Sequence, residues 1–249
     1  MGYIIFIYPK RLVCREKYAM NNKAVFNWSG GKDSALALYE ILQQKEYEIS
    51  YLLTSVNMIY NRVSMHGVRV ELLEQQAREI GIPLQQIRLP EMPGMEDCNR
   101  EMFSMMKRFK DQGVDYSIFG DIFLEDLKVY REGQLAQVGM QGVFPIWKRN
   151  TTELIKEFID KGFKAVLVCV NEKYLDKSFA GRLIDEDFLK DLPANVDPCG
   201  ENGEYHSFVF DGPIYKNHIP ITLGEVVYRK YDKGAEDNFD TGFYYQDLG

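Results

Sequence analysis

Six consecutive residues, Ser29-Gly30-Gly31-Lys32-Asp33-Ser34, hold the side-chain types and spacing best suited to chemistry. Ahead of them, Ala24-Val25-Phe26 is the short apolar run expected of a strand buried on both faces of a parallel sheet. Behind them, Ala35 to Leu42 repeats apolar residues at three- and four-residue spacing, which predicts a helix. The glycine pair lets the chain turn sharply and brings bare backbone close to a ligand. A helix opening here presents unpaired N–H groups and the positive end of its dipole, a combination that suits an anion. Ser29 and Ser34 add hydroxyl donors, and Lys32 adds a full positive charge. The run reads as a phosphate cradle rather than as a Ser/Gly turn opening an ordinary helix. It is not a Walker loop: Lys32 is followed by Asp33, and Phe26 stands where that loop's first glycine belongs.

A second polar stretch is Cys199-Gly200-Glu201-Asn202-Gly203-Glu204-Tyr205-His206-Ser207. Two carboxylates three apart, with a histidine two further on, put several titratable groups on one turn. Such a turn could hold magnesium, position an amine or remove its proton. Spacing alone favours the plainer account of a solvated Gly/Asn turn with a hydrogen-bonded histidine. Asp121, in Gly120-Asp121-Ile122, closes another predicted strand. There it either faces a ligand at the sheet's carboxyl edge or caps the next helix. Thr54 ends a further β-rich run, Ile49 to Val56, and is expected beside a nucleotide.

These residues need a scaffold to converge. Strands over 24–26, 49–56, 84–89 and 116–119 alternate with helices over 35–42, 70–80 and 95–110, which calls for a doubly wound parallel sheet. Met102, Met105, Met106 and Phe109 follow core spacing in the last helix. Gln134 to Gly142 is glycine-rich and reads as a linker. A smaller α+β part follows, with a capping box at Asn150 and Glu153, strands over 163–170, 205–210 and 219–229, and a short helix over 185–192. The expected organisation is an N-terminal extension (1–22, with Met20 a candidate start), a nucleotide-binding domain (23–140), a substrate-binding domain (141–231) and a loosely held acidic tail (232–249).

The chain has 249 residues, 45% hydrophobic and 27% charged, with a net charge of −7. That balance argues against a protein that wraps a polyanion. Four scattered cysteines without a Cys-x-x-Cys pair disfavour a disulfide framework or structural zinc and fit a reducing compartment. The apolar run Ile4 to Tyr8 is too short to span a bilayer, and its basic residues follow it, so no signal peptide is read. A cytoplasmic location is expected.

The loop resembles the Ser-Gly-Gly-x-Asp-Ser loop of the N-type ATP pyrophosphatases, the PP-loop, which belongs to Rossmann-like folds of the HUP type. Together with Gly120-Asp121-Ile122, Pro145-Ile146-Trp147 and Gly200-Glu201-Asn202-Gly203-Glu204-Tyr205-His206, in that order, it makes the chain similar to the diphthine–ammonia ligase family from about Lys23 to about Arg229. The resemblance implies an ATP-dependent, amide-forming ligase that adenylates a carboxylate, releases pyrophosphate and transfers ammonia. It implies ATP on Ser29, Gly30, Gly31, Lys32, Asp33, Ser34 and Thr54, with Mg2+ on Asp33 and Asp121. Asp121, Glu201, Glu204 and His206 become the implied catalytic residues. The implied partners are a small-molecule or protein-borne carboxylate and ammonium or an ammonia donor; a homodimer is allowed. His206-Ser207 departs from the Glu-Thr of diphthamide-making members. Arg62 to Gly67, with His66 at the entrance, is more similar to bacterial members, for which a cobalamin-related or other metabolite acid is implied. Two rivals stay open: a PP-loop enzyme that modifies tRNA, and a module that senses ATP or AMP without turnover.

Overall fold

The computed structural model describes residues 22–63, 67–90, 94–231 and 241–249. The N-terminal extension up to residue 21, His66 and the 232–240 part of the tail lie outside the described residues. Strand β1 (Asn22–Asn27) is the middle of the first sheet, because its apolar centre is buried on both faces. It pairs in parallel with β2 (Tyr47–Asn57) and with β5 (Tyr116–Ile118). Beyond β2 lies β4 (Leu84–Leu89), beyond β5 lies β6 (Gln141–Val143), and both are again parallel. The two-residue β3 (Arg62–Val63) runs antiparallel against the end of β2.

Alternation along the strands sorts side chains to two cores. Ala24, Phe26 and Leu52 meet α1 (Lys32–Gln44) and α2 (Val70–Ile80) through Leu38, Ile41, Leu73 and Ala77. Val25 and Leu53 face the other way, onto Met106 and Phe109 of α3 (Met95–Asp111) and Leu135 of α4 (Glu125–Ala136). Helices on both faces of a mostly parallel sheet make this the doubly wound α/β arrangement that the alternation of elements implies.

The second sheet is antiparallel, in the order β8 (Tyr205–Asp211), β7 (Lys164–Asn171), β10 (Thr241–Leu248), β9 (Leu223–Tyr231). It is accompanied by α5 (Thr151–Asp160) and the short α6 (Glu186–Asp191). Helix α5 begins as its sequence requires, with the Asn150 side chain accepting from the Glu153 N–H at 3.1 Å. The first core runs without a break into this sheet through Val166, Phe208 and Val209, so the two sheets share one apolar interior.

Three expectations are corrected. Residues 134–142 are not a linker: Gln134 to Ala136 finish α4, and Gln141 to Val143 pair with β5 in the first sheet. Residues 241–248 are not a loose tail, because β10 lies between β7 and β9, and its Asp247 pairs with Arg62 at 2.8 Å and Arg69 at 2.5 Å. Strand β1 also starts one residue earlier than the boundary at 23. Among the described residues, no helix is long and apolar enough to cross a membrane.

Candidate active site

A cavity of about 770 Å³ opens at the carboxyl ends of β1, β2 and β5, where an open α/β sheet presents its ligand edge. Ser29, Gly31, Lys32, Asp33, Ser34, Thr54, Asp121, Glu201 and His206 all line it, so residues almost 180 positions apart in sequence converge. Gly30 and Glu204 lie behind the wall.

The loop between β1 and α1 is held from several directions. The Gly31 N–H donates to Ser29 Oγ at 3.2 Å, Ser29 Oγ to Ser34 Oγ at 3.0 Å, and Ser34 Oγ to the Gly31 carbonyl at 2.9 Å. Gly30 sits at φ +79, and a Cβ there would meet Gln76 Oε1 at 2.8 Å, so the position requires glycine twice over. Gln76, fully buried on α2, is the clamp. Its Nε2 donates to the carbonyls of Gly30 (3.0 Å) and Val209 (2.7 Å), and its Oε1 accepts from the Trp28 indole at 2.8 Å. No side chain on its own segment caps α1; Ser207 of β8 takes that role, its Oγ accepting from the Lys32 N–H at 3.1 Å. Gly120 lets β5 close on the same turn, since a Cβ there would lie 3.0 Å from Ser34 Cα and N.

Lys32 is only 4% exposed. Its Nζ bonds Asp33 Oδ2 at 2.7 Å and lies 5.1 Å above the Tyr205 ring. Burial works against the ammonium, but the Asp33 carboxylate, with Tyr205, more than offsets it and keeps the group charged. Burial pushes the Asp33 carboxyl up, with Lys32 opposing. Glu201 reaches the cavity from the 200–204 turn. Burial, then the negative neighbour Asp33, pushes its carboxyl up to about 8, so it exchanges a proton near neutrality. His206 is pushed down to about 4 by burial and by the Lys32 charge, which leaves a neutral imidazole on the cavity wall.

Glu204 departs from the catalytic expectation. Its carboxylate accepts from the Asp197 N–H (3.0 Å), the Asn202 N–H (2.8 Å) and Asn202 Nδ2 (3.1 Å), and it is fully buried. It therefore folds the turn that carries Glu201. The methionines of α3 do more than pack: Met102 and Met106 form part of the cavity wall.

Asp121 stands across from the loop, its Oδ2 buried and without a hydrogen bond and 3.2 Å from Arg131 Nε. Burial raises its pKa, Arg131 opposes, and the nearby Asp33 adds to the rise. Among the described residues, no cluster of three or more His, Cys, Asp and Glu side chains is arranged to hold a metal. A buried carboxylate oxygen that is ion-paired but makes no hydrogen bond, near a second carboxylate, nevertheless fits magnesium, which takes one or two protein carboxylates and completes its shell with phosphate oxygens and water. Asp121 and Asp33 are the residues that would hold it.

Sequence reasoning passed over Gln76, Arg131 and the capping role of Ser207. An amide among Leu73, Ala77 and Ile80 on an apolar helix face was the available signal for Gln76.

A strand, a two-glycine turn and a helix at the ligand edge of a doubly wound sheet, closed by a second antiparallel sheet, define an α/β protein of the PP-loop type. The family model "Diphthamide synthase N-terminal domain" matches residues 22–142, and "Diphthamide synthase C-terminal domain" matches residues 150–240. The chain belongs to the diphthamide synthase family. It is similar to the diphthine–ammonia ligase of Danio rerio, 30% identical over 148 residues, covering 56% of this chain and 57% of that protein. The human diphthine–ammonia ligase is 28% identical over 141 residues, covering 54% of this chain and 53% of the relative. The chain thus spans about half the length of these curated relatives. Among solved structures, the U34-tRNA thiolase NcsA of Methanococcus maripaludis, described with its [4Fe-4S] cluster, is 18% identical. That match covers 56% of this chain and 58% of the other at a TM-score of 0.35, and it adds nothing to the family assignment.

Proposed function

We propose that the chain is an ATP-dependent ligase of the cytoplasm that adenylates a carboxylate, releases pyrophosphate and passes the acyl group to ammonia. One observation carries the reading: the Ser29–Ser34 loop, opening a helix N-terminus, shares its cavity with Glu201, His206 and Asp121. The outer two phosphates of ATP lie in the loop, on the hydroxyls of Ser29 and Ser34 and the N–H groups at the start of α1. Lys32, on the cavity wall and already paired with Asp33, supplies charge rather than a direct contact. The substrate carboxylate attacks the α-phosphorus, the bond to the bridging oxygen breaks, and pyrophosphate departs into the loop's donors. Magnesium bound by Asp121 and Asp33 would neutralise phosphate charge. Ammonia then attacks the acyl carbon and AMP leaves with the bonding pair. Glu201, poised near neutrality, takes the proton from the incoming ammonium, and the neutral His206 offers a hydrogen bond without adding positive charge beside it. The curated relatives' names support diphthine and ammonia as the model for acid and nitrogen source; the acid here is of small-molecule or protein-borne kind.

An ATP–pyrophosphate exchange screen over carboxylic acids, with ammonium present, tests this. Ser34→Ala removes one donor to the leaving group, and Asp33→Ala removes a carboxylate of the site. With one such donor worth about 3 kcal/mol, exchange in Ser34→Ala drops about 100-fold while the protein stays folded. Unchanged exchange, or release of γ-phosphate instead of pyrophosphate, refutes the proposal.

A further inference from the structure

Arg131 is a cation that the mechanism does not use. It projects from α4 into the cavity wall with 27% of its side chain exposed. Its guanidinium carbon lies 4.3 Å from the centre of the Phe119 ring, which fixes the plane of the group by stacking. Its carboxylate neighbour is Asp121, at 3.2 Å from Nε. That approach lacks hydrogen-bond geometry, because Asp121 Oδ2 is buried and accepts nothing. A guanidinium has five N–H donors in a planar fork, and such a fork binds a carboxylate through two parallel bonds. A stacked, half-buried arginine on the wall of a cavity is arranged to receive an anion from it.

The Ser29–Ser34 loop has its own donors, and the wall around Arg131 mixes apolar side chains with the uncharged polar groups of Asn99, Tyr130 and Gln134. Leu127 and Leu135 of α4 and Met102 and Met106 of α3 line the same wing of the cavity. A cationic fork between apolar side chains and uncharged polar ones fits an acid with a short body. We infer that Arg131 receives a second anionic group of the acid substrate, so that the acid carries at least two carboxylate-type groups, one activated and one held. This rests on the ligase reading above and narrows its substrate class.

Calorimetric titrations of the full chain, with and without the non-hydrolysable α,β-methylene analogue of ATP, test it using glutarate and its monomethyl ester as probes. Arg131→Met keeps the length and apolar contacts of the side chain and removes the fork. Glutarate is expected to bind the wild type and to weaken at least tenfold in Arg131→Met, while the monoester binds both proteins within twofold and the nucleotide analogue is unaffected. Arg131→Lys recovers part of the glutarate affinity. Equal weakening of glutarate and monoester marks a structural role and overturns the inference. So does a tenfold loss of the nucleotide analogue alone, which would make Arg131 a phosphate ligand, and so does a wild type that ignores glutarate. Failure of the nucleotide analogue to bind the wild type sinks the ligase reading instead, and the nucleotide-free acid titrations then still report on Arg131.

Discussion

Replacing Gln76 by leucine tests whether the Ser29–Ser34 loop is held by a buried amide rather than by its own sequence. The two side chains are close in volume, so the change leaves no large cavity and its cost is that of lost hydrogen bonds. Three are removed, at 2.7, 2.8 and 3.0 Å. The Trp28 indole N–H, 2% exposed, is left with no acceptor, which costs about 1–3 kcal/mol. The Gly30 carbonyl keeps the Val209 N–H at 2.9 Å, and the Val209 carbonyl keeps the Tyr215 hydroxyl at 3.3 Å. Those two losses are therefore the smaller, net kind, about 0.5–1.5 kcal/mol each. The sum, about 2–6 kcal/mol, is partly offset by burying leucine in place of an amide, so a loss of about 1–4 kcal/mol is expected. Urea unfolding should show a lower midpoint with an unchanged slope, since the surface exposed on unfolding is the same. Gln76→Glu is the control: a carboxylate aimed at two carbonyls destabilises more at neutral pH than in acid, where it regains a donor. A loss below about 1 kcal/mol for Gln76→Leu would refute the clamp.

Two further outcomes follow from the site. Gly120→Ala sets a Cβ 3.0 Å from the backbone of Ser34, and the clash should destabilise by about 1–3 kcal/mol and weaken nucleotide-analogue binding; wild-type behaviour in thermal unfolding and calorimetry would contradict it. Glu201 has its carboxyl pushed up to about 8 from 4.5, so between those values the folded protein holds a proton the unfolded chain has released, and stability falls as pH rises. Glu201→Gln should flatten that slope in unfolding midpoints measured across the window, and should remove a rise in amide formation that levels off above about pH 8. An identical slope in both proteins would count against the assignment.

The parts legible in the sequence are those in which local signals and tertiary demands agree. Ala24-Val25-Phe26 is apolar because it is central, and Ser29 to Ser34 announces itself because glycine, hydroxyls and a helix start coincide. Helix α4 was missed because its N-cap, Leu124, offers no side-chain cap and its body carries Gly133, so the acidic pair Glu125-Asp126 is the one mark of its beginning. Strand β10 was hidden by charge: the acidic run before it overshadowed Phe243-Tyr244-Tyr245, residues of high strand propensity. Glu201 and Glu204 look equivalent at a spacing of three. The chain separates them by turning Glu204 onto the N–H groups of its own turn, a contact no spacing rule reports.

The convergence at the loop runs along strand β8 of the second sheet. In a regular strand, neighbouring side chains point to opposite faces, yet Tyr205, His206 and Ser207 all line the cavity. The register of β7 against β8 shifts between Leu167 and Cys169, so the extra residue, Val168, is on β7, opposite Ser207 and His206. The Tyr205 ring then lies under the Lys32 ammonium, and Ser207 Oγ receives the Lys32 N–H. His206 is left between them on the wall. Two residues further on, the Val209 N–H donates to the Gly30 carbonyl at 2.9 Å. One strand of the second sheet thus fixes the loop and carries a titratable group facing the same space. The separation of the Ser29–Ser34 loop from His206 is accordingly set in part by the backbone hydrogen bond between Val209 and Gly30, and not by the reach of a flexible side chain alone.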